Sequence, residues 1–141
     1  MVDAESYVDV NIFIYWLGKH PIFGEVAYEW IKRIAEGTRG KYVTSSLTLY
    51  ETLVIIAGLT GRSLNDRQLV EDIVNSITSL KGLMIVKLEH EDYVQAVELM
   101  KEYEIDCEDS LHLATALKAG VKKIVSNDED FDRTPLKRIF K

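Results

Sequence analysis

Ser6-Tyr7-Val8-Asp9-Val10-Asn11-Ile12-Phe13-Ile14-Tyr15-Trp16-Leu17 is the stretch that decides the fold. Ser6-Tyr7-Val8, with Val10, reads as a short strand, and Asn11 to Leu17 as the start of a helix. One acid, Asp9, stands near the strand end. A strand that passes straight into a helix opens an alternating pattern, and the rest of the chain continues it.

Gly18 to Pro21 breaks the first helix. Phe23, Ala27, Trp30, Ile31 and Ile34 then recur at helical spacing, and Gly37 and Gly40 close that segment. Lys41-Tyr42-Val43-Thr44 is a second strand. Ser45 and Ser46 are good N-caps for a helix from Leu47 to Ala57, with Gly58 as its exit. Gly61 to Asn65 is a loop, and Asp66 to Leu80 a helix with Leu69, Ile73, Ile77 and Leu80 on one face. Leu83 to Leu88 is the third strand. Glu91 to Glu104 is helical, with Tyr93, Val97 and Met100 on one face. Cys107 to Leu117 is a helix ending at Ala119-Gly120, Lys123 to Ser126 a fourth strand, and Asn127 to Asp132 an acidic loop. A last strand is expected at Lys137 to Phe140. The expectation is an α/β fold: a three-layer α/β/α sandwich around a central, mainly parallel sheet of four to five strands, in a single domain over residues 1–141.

The bulk numbers agree with one soluble domain. The chain has 141 residues, 47% hydrophobic and 28% charged. No apolar run approaches the roughly 20 residues of a membrane span. The start, Met1 to Ser6, is acidic and lacks the basic, then apolar, pattern of a signal peptide. Cys107 is the single cysteine, so no internal disulfide forms and a cytoplasmic location is expected. A net charge of −6 and a pI near 5.1 argue against binding by blanket phosphate neutralisation. They do not exclude a nucleic-acid enzyme, because carboxylates that hold divalent ions present positive charge to a phosphate.

Four acids fall where chemistry is expected. In parallel α/β sheets, ligands bind beyond the carboxyl ends of the strands. Asp9 lies at such an end, and Asp128 lies two residues past the fourth strand. Glu51 shares a helix face with Leu47 and Ile55, and Asp109 heads an apolar stripe with Leu113, Ala116 and Leu117, so both should point inward. Each acid also has a plain structural reading. Asp9 and Asp109 can serve helix N-termini, Glu51 can be solvated if the helix phase differs, and Asp128 belongs to an acidic run. Taken together, four converging carboxylates would repel, and no Arg or Lys occupies the inward positions near Glu51 or Asp109. A divalent ion is the natural compensation, and hard oxygen ligands suit Mg²⁺ or Mn²⁺.

Tyr7-Val8-Asp9-Val10-Asn11-Ile12, Ser45 to Glu51, Asp109 to Ala116, and Val125-Ser126-Asn127-Asp128-Glu129-Asp130-Phe131 together resemble the PIN-domain family of metal-dependent ribonucleases, whose commonest small members are VapC-type toxins. The motifs run in the family's order across nearly the whole chain. The resemblance implies metal ligation by Asp9, Glu51, Asp109 and Asp128, with Asn11, Ser126 and Asp130 as supporting positions. It implies an endoribonuclease hydrolysing RNA phosphodiester bonds, the toxin paired with an antitoxin protein, and commonly a homodimer. A housekeeping RNA-processing role is the alternative within the family. A basic residue near the acidic centre is often found in small members; Arg62, Arg67 and Arg133 are the candidates.

Glu51 or Asp130 would then orient an attacking water, and Ser126 and Asn127 would hydrogen-bond a carboxylate. Lys32, Arg33, Arg39, Lys41, Lys122 and Lys123 are candidate backbone contacts, more simply read as solvated surface. His112 could hydrogen-bond Asp109, though a satisfied or exposed histidine is the plainer reading, and Cys107 reads as a small packing residue. The apolar run Leu53 to Leu59 exceeds one buried stripe, so part of it is expected to meet a second copy. Two other classes compete. An aspartyl-phosphate phosphatase or receiver-like domain would use Asp9, but Asn11 stands where its second acid belongs. A non-catalytic scaffold on the same fold would not need all four acids.

Overall fold

The computed structural model describes residues 3–141. Met1 and Val2, assigned above to the domain and to the acidic start, lie outside the described residues. Five strands form one sheet in the order β3-β2-β1-β4-β5: β1 Ser6–Val8, β2 Tyr42–Ser45, β3 Leu83–Val86, β4 Lys123–Val125 and β5 Lys137–Ile139. Every pairing is parallel. Six helices cover it: α1 Val10–Leu17, α2 Gly24–Glu36, α3 Ser46–Thr60, α4 Arg67–Thr78, α5 His90–Tyr103 and α6 Cys107–Lys118. The expected three-layer sandwich is what the chain forms.

Strand alternation divides the core. Val8 and Val125 turn toward the layer of α1 to α4, packing with Ile12, Phe13, Ile34, Ile56 and Ile77. Tyr7, Val43 and Ile124 turn to the other layer and meet Leu99, Leu113, Ala116 and Phe131. Both faces of the central strands are thus covered, as an all-parallel sheet requires. Trp30 ties the C-terminal segment down by donating its indole N–H to the carbonyl of Phe140.

Several boundaries depart from expectation. Val10 is the first helical residue, not part of the strand, because Asp9 ends β1 and caps α1. Gly58 does not end α3: the helix runs to Thr60, and Gly61 at φ 67° provides the left-handed exit. The acidic loop contains a 3-10 turn, Glu129–Arg133, held down by fully buried Phe131. The largest misreading is the face of α5. Tyr93, Val97 and Met100 are 49%, 63% and 37% exposed, while Asp92, Ala96 and Leu99 face inward. The reason is an ion pair: Lys118 on α6 reaches Asp92 at 2.7 Å and the carbonyl of Lys87 at 2.9 Å, so the tight α5–α6 contact is built on a small residue and a charge.

Candidate metal centre

Asp9 is placed by the register of the sheet. Val8 pairs with Val125, so the next residues, Asp9 and Ser126, emerge side by side at the carboxyl edge. The Asp9 N–H donates to the carbonyl of Val125 at 3.0 Å. Its carboxylate accepts from the N–H of Val10 at 2.8 Å and from the Ser126 hydroxyl at 2.6 Å. Ser126 Oγ in turn accepts from the N–H of Asp128 at 2.9 Å, so one hydroxyl ties the first and last acids together. Asn11 reaches the same oxygen weakly, at 3.4 Å, and its own carbonyl oxygen is buried without a partner. Burial pushes the Asp9 carboxyl up, against the counteracting effects of His112, Ser126 and Val10.

Asp109 comes from the other side. It is not the cap of α6: Asp106 is, accepting from the Asp109 N–H at 2.8 Å. Asp109 lies in the first turn, pointing to the sheet edge. Carboxylate oxygens of Asp109, Asp128 and Asp130 lie within 4.8 Å of one another. Asp128 is itself held in place, accepting from the N–H of Asp130 at 2.9 Å. Burial, followed by the charges of Asp128, Asp106, Asp9 and Asp130, pushes the Asp109 carboxyl up to about 7. A carboxyl raised this far by its neighbours marks a place where a cation is wanted.

Glu51 sits in a second group, with Glu108 and His112. Its side chain is 10% exposed, so it does point inward. Oε1 faces His112 Nε2 at 2.6 Å. Oε2 is buried without a hydrogen-bond partner, and Glu108 belongs to the same cluster. The Glu108 carboxyl is pushed up to about 8, first by its hydrogen bond with Glu51, then by desolvation. Burial raises the Glu51 carboxyl, but hydrogen bonds from His112 and Glu108 outweigh it and leave it low. Burial opposes charge on His112, yet Tyr7, Glu51 and Asp9 hold its pKa well above the usual histidine range.

The structure therefore brings Asp9, Asp109, Asp128 and Asp130 together, with Asn11 and Ser126 beneath them. It places Glu51 in a separate cluster with Glu108 and His112, and does not bring it into that group. His112 does not bond Asp109 in this arrangement. Its partners are Glu51 and Tyr7, the latter at 2.5 Å. Asn127 donates to the Tyr15 hydroxyl at 3.2 Å and not to a carboxylate. Cys107 is exposed, not a packing residue. Arg62 is occupied by Asp66 at 2.6 Å, and Arg67 is exposed at the start of α4. Arg133 stands closest among the expected basic residues, 3.9 Å from Asp130. Arg138, overlooked in the sequence, pairs with Asp132 at 2.9 Å and touches the Ser126 carbonyl at 3.4 Å. A cleft lined by Trp16, Lys19, His20, Pro21 and Tyr28 is separate from these acids.

The donor set fits a hard divalent ion. It is made of carboxylates, it carries excess negative charge, and Glu51 Oε2 is a buried acceptor in want of a positive partner. No helix among the described residues is long and apolar enough to cross a membrane.

Solved structures share the fold, three of them as follows. One is a toxin–antitoxin complex from Klebsiella pneumoniae, at 19% identity and TM-score 0.64, covering 94% of this chain and 99% of that one. A second is VapBC2 from Rickettsia felis bound to a promoter DNA fragment, at 21% and 0.67, covering 95% and 96%. A third is Mycobacterium tuberculosis VapC20, a sarcin–ricin-loop-cleaving toxin, at 15% and 0.72, covering 91% and 93%. No curated protein matches the sequence. The PIN domain family model matches residues 6–137, nearly the whole chain. With its motifs, sheet order and acidic centre in agreement, this chain belongs to the PIN domain family.

Proposed function

We propose that this protein is a divalent-metal-dependent endoribonuclease that hydrolyses phosphodiester bonds of RNA, single-stranded or structured, and serves as the toxin of a toxin–antitoxin pair. The observation that carries the reading is the Ser126 junction, which holds Asp9 and Asp128 together opposite Asp109. In this reading Asp9, Glu51, Asp109 and Asp128 hold Mg²⁺ or Mn²⁺, directly or through water. When bound, an ion of this class acidifies a water and neutralises charge developing on a phosphodiester.

The chain's own groups supply the rest. Ser126 and the N–H of Val10 fix both oxygens of Asp9. Asp130, next to Asp128 and half exposed, is placed to accept a proton from an incoming water. Arg133, at the rim beside Asp130, offers its guanidinium to the scissile phosphate. The carboxylates would repel an RNA backbone if bare, so binding and metal loading are linked.

The aspartyl-phosphate alternative is disfavoured by Asn11, which stands where its second acid belongs and reaches Ser126 at 3.4 Å instead. The antitoxin partner is supported by the toxin–antitoxin complexes among the structures that share the fold. A homodimer is supported by α3, where Tyr50, Val54, Ile55 and Leu59 are exposed along one side of the helix. The test is Asp9→Asn. It should abolish RNA cleavage in Mn²⁺ while the protein stays folded; unchanged cleavage would overturn the reading.

A further inference from the structure

We infer that Tyr7 and His112 are positioning residues that lock Glu51 and present its Oε2 to the metal. The inference rests on Glu51 being a metal ligand, as proposed above, and extends it to two residues that touch no ion.

A chain of contacts crosses three elements. The N–H of Ser45, at the end of β2, donates to the Tyr7 hydroxyl at 3.2 Å. The Tyr7 hydroxyl, from β1, meets His112 Nδ1 at 2.5 Å. His112 Nε2, from α6, meets Glu51 Oε1 on α3 at 2.6 Å. Tyr7 is fully buried and His112 is 1% exposed, so neither has an alternative partner in water. Both ring nitrogens are engaged: Nδ1 at the Tyr7 hydroxyl, which also accepts from Ser45, and Nε2 at the Glu51 carboxylate, which can only accept. The imidazole is thus fixed in ring orientation, as ligand-orienting histidines are.

The consequence falls on Glu51. With Oε1 taken, the carboxylate cannot rotate, and Oε2 is the oxygen left without a backbone or hydroxyl donor. A free glutamate in a helix has three torsions to fix before it can bind an ion. Here β1 and α6 fix them beforehand, which lowers the entropic cost of metal binding. Capping or simple core packing does not account for a buried tyrosine hydroxyl and a buried imidazole both spent on one carboxylate.

The experiment is Mn²⁺ titration by calorimetry on the intact protein, with Tyr7→Phe, His112→Leu, His112→Gln and Glu51→Gln, each checked for native thermal unfolding and circular dichroism. His112→Leu should weaken Mn²⁺ binding about 10- to 100-fold, the usual loss for a partner behind a ligand. Tyr7→Phe, one step further back and nearly isosteric, should weaken it about 3- to 10-fold. His112→Gln keeps an N–H near the Nε2 position and should recover most of the loss. In cleavage assays Tyr7→Phe should need more Mn²⁺ for half-maximal rate while keeping most of kcat at saturating Mn²⁺. If Glu51→Gln loses Mn²⁺ affinity but folded Tyr7→Phe and His112→Leu bind like the wild type, the positioning role is wrong and the Glu51 reading stands. If Glu51→Gln itself binds like the wild type, the Glu51 reading fails and the positioning role fails with it.

Discussion

Replacing Asp109 by asparagine is expected to stabilise the metal-free protein at pH 8. Asp109 is crowded by Asp128, Asp106, Asp9 and Asp130, and its carboxyl is pushed up to about 7 from an ordinary 3.8. A carboxyl raised in the folded state binds a proton there that the unfolded chain releases, so stability falls as pH rises from about 4 to about 7. The penalty is complete above about 7. Each pH unit of separation corresponds to about 1.36 kcal/mol, which sets a ceiling of about 4 kcal/mol. Solvent reaches the cluster from the open edge, and screening reduces this to about 1–2 kcal/mol. Asparagine fills the same space, and the Asp109 side chain makes no hydrogen bond that asparagine would lose. For a chain of this size the gain corresponds to roughly 3–8 °C in Tm. Calorimetric scans in EDTA at pH 5 and pH 8 measure it. The gain should be small at pH 5, where the wild-type carboxyl is already protonated, and full at pH 8. Adding Mn²⁺ should stabilise the wild type and not the variant. A variant less stable than the wild type at pH 8 in EDTA would refute the repulsion argument.

Three further outcomes are expected. Ser126→Ala removes the hydroxyl that joins Asp9 and Asp128; hydrogen bonds to a charged group are worth about 1.5–3 kcal/mol, so kcat should fall about 10- to 100-fold in a cleavage assay. Asp92→Ala breaks the Lys118 pair and the bond to the Glu89 N–H. Although burial works against it, these contacts hold the Asp92 carboxyl low, so the stability they add is present above about pH 4 and lost as pH falls below it. Chemical denaturation should show a loss of about 1–3 kcal/mol at pH 7 that shrinks in acid. Val54→Glu places a charge on the exposed α3 stripe and should leave a folded monomer by scattering, where the wild type is expected to give a dimer.

Sequence patterns revealed the fold and three of the acids for one reason. In a parallel sheet, connectivity alone sends Asp9 and Asp128 to the carboxyl edge, and a first-turn position sends Asp109 there too. Glu51 was read as inward on a face shared with Leu47 and Ile55, yet Ile55 is 38% exposed; what engages Glu51 is His112, in a contact that joins α3 to α6 across 61 positions. A signal for it did exist: Glu108 and His112 are four apart, so they share one helix face and can meet a common partner. Tyr7 looked like an ordinary strand residue, and only its hydroxyl's position distinguishes it. The face of α5 was misread because apolar residues occur on both sides of that helix, and periodicity could not say that Lys118 would draw Asp92 inward. Gly58 was taken for a helix end when the space around it is simply open.

Cleavage of a mixed RNA pool by the purified protein, with EDTA and then with excess Mn²⁺ restored, tests the central claim most directly. The account expects no cleavage in EDTA, cleavage on restoring Mn²⁺, and none with Asp128→Asn under either condition. Cleavage that persists in EDTA, or that Asp128→Asn retains, would contradict it.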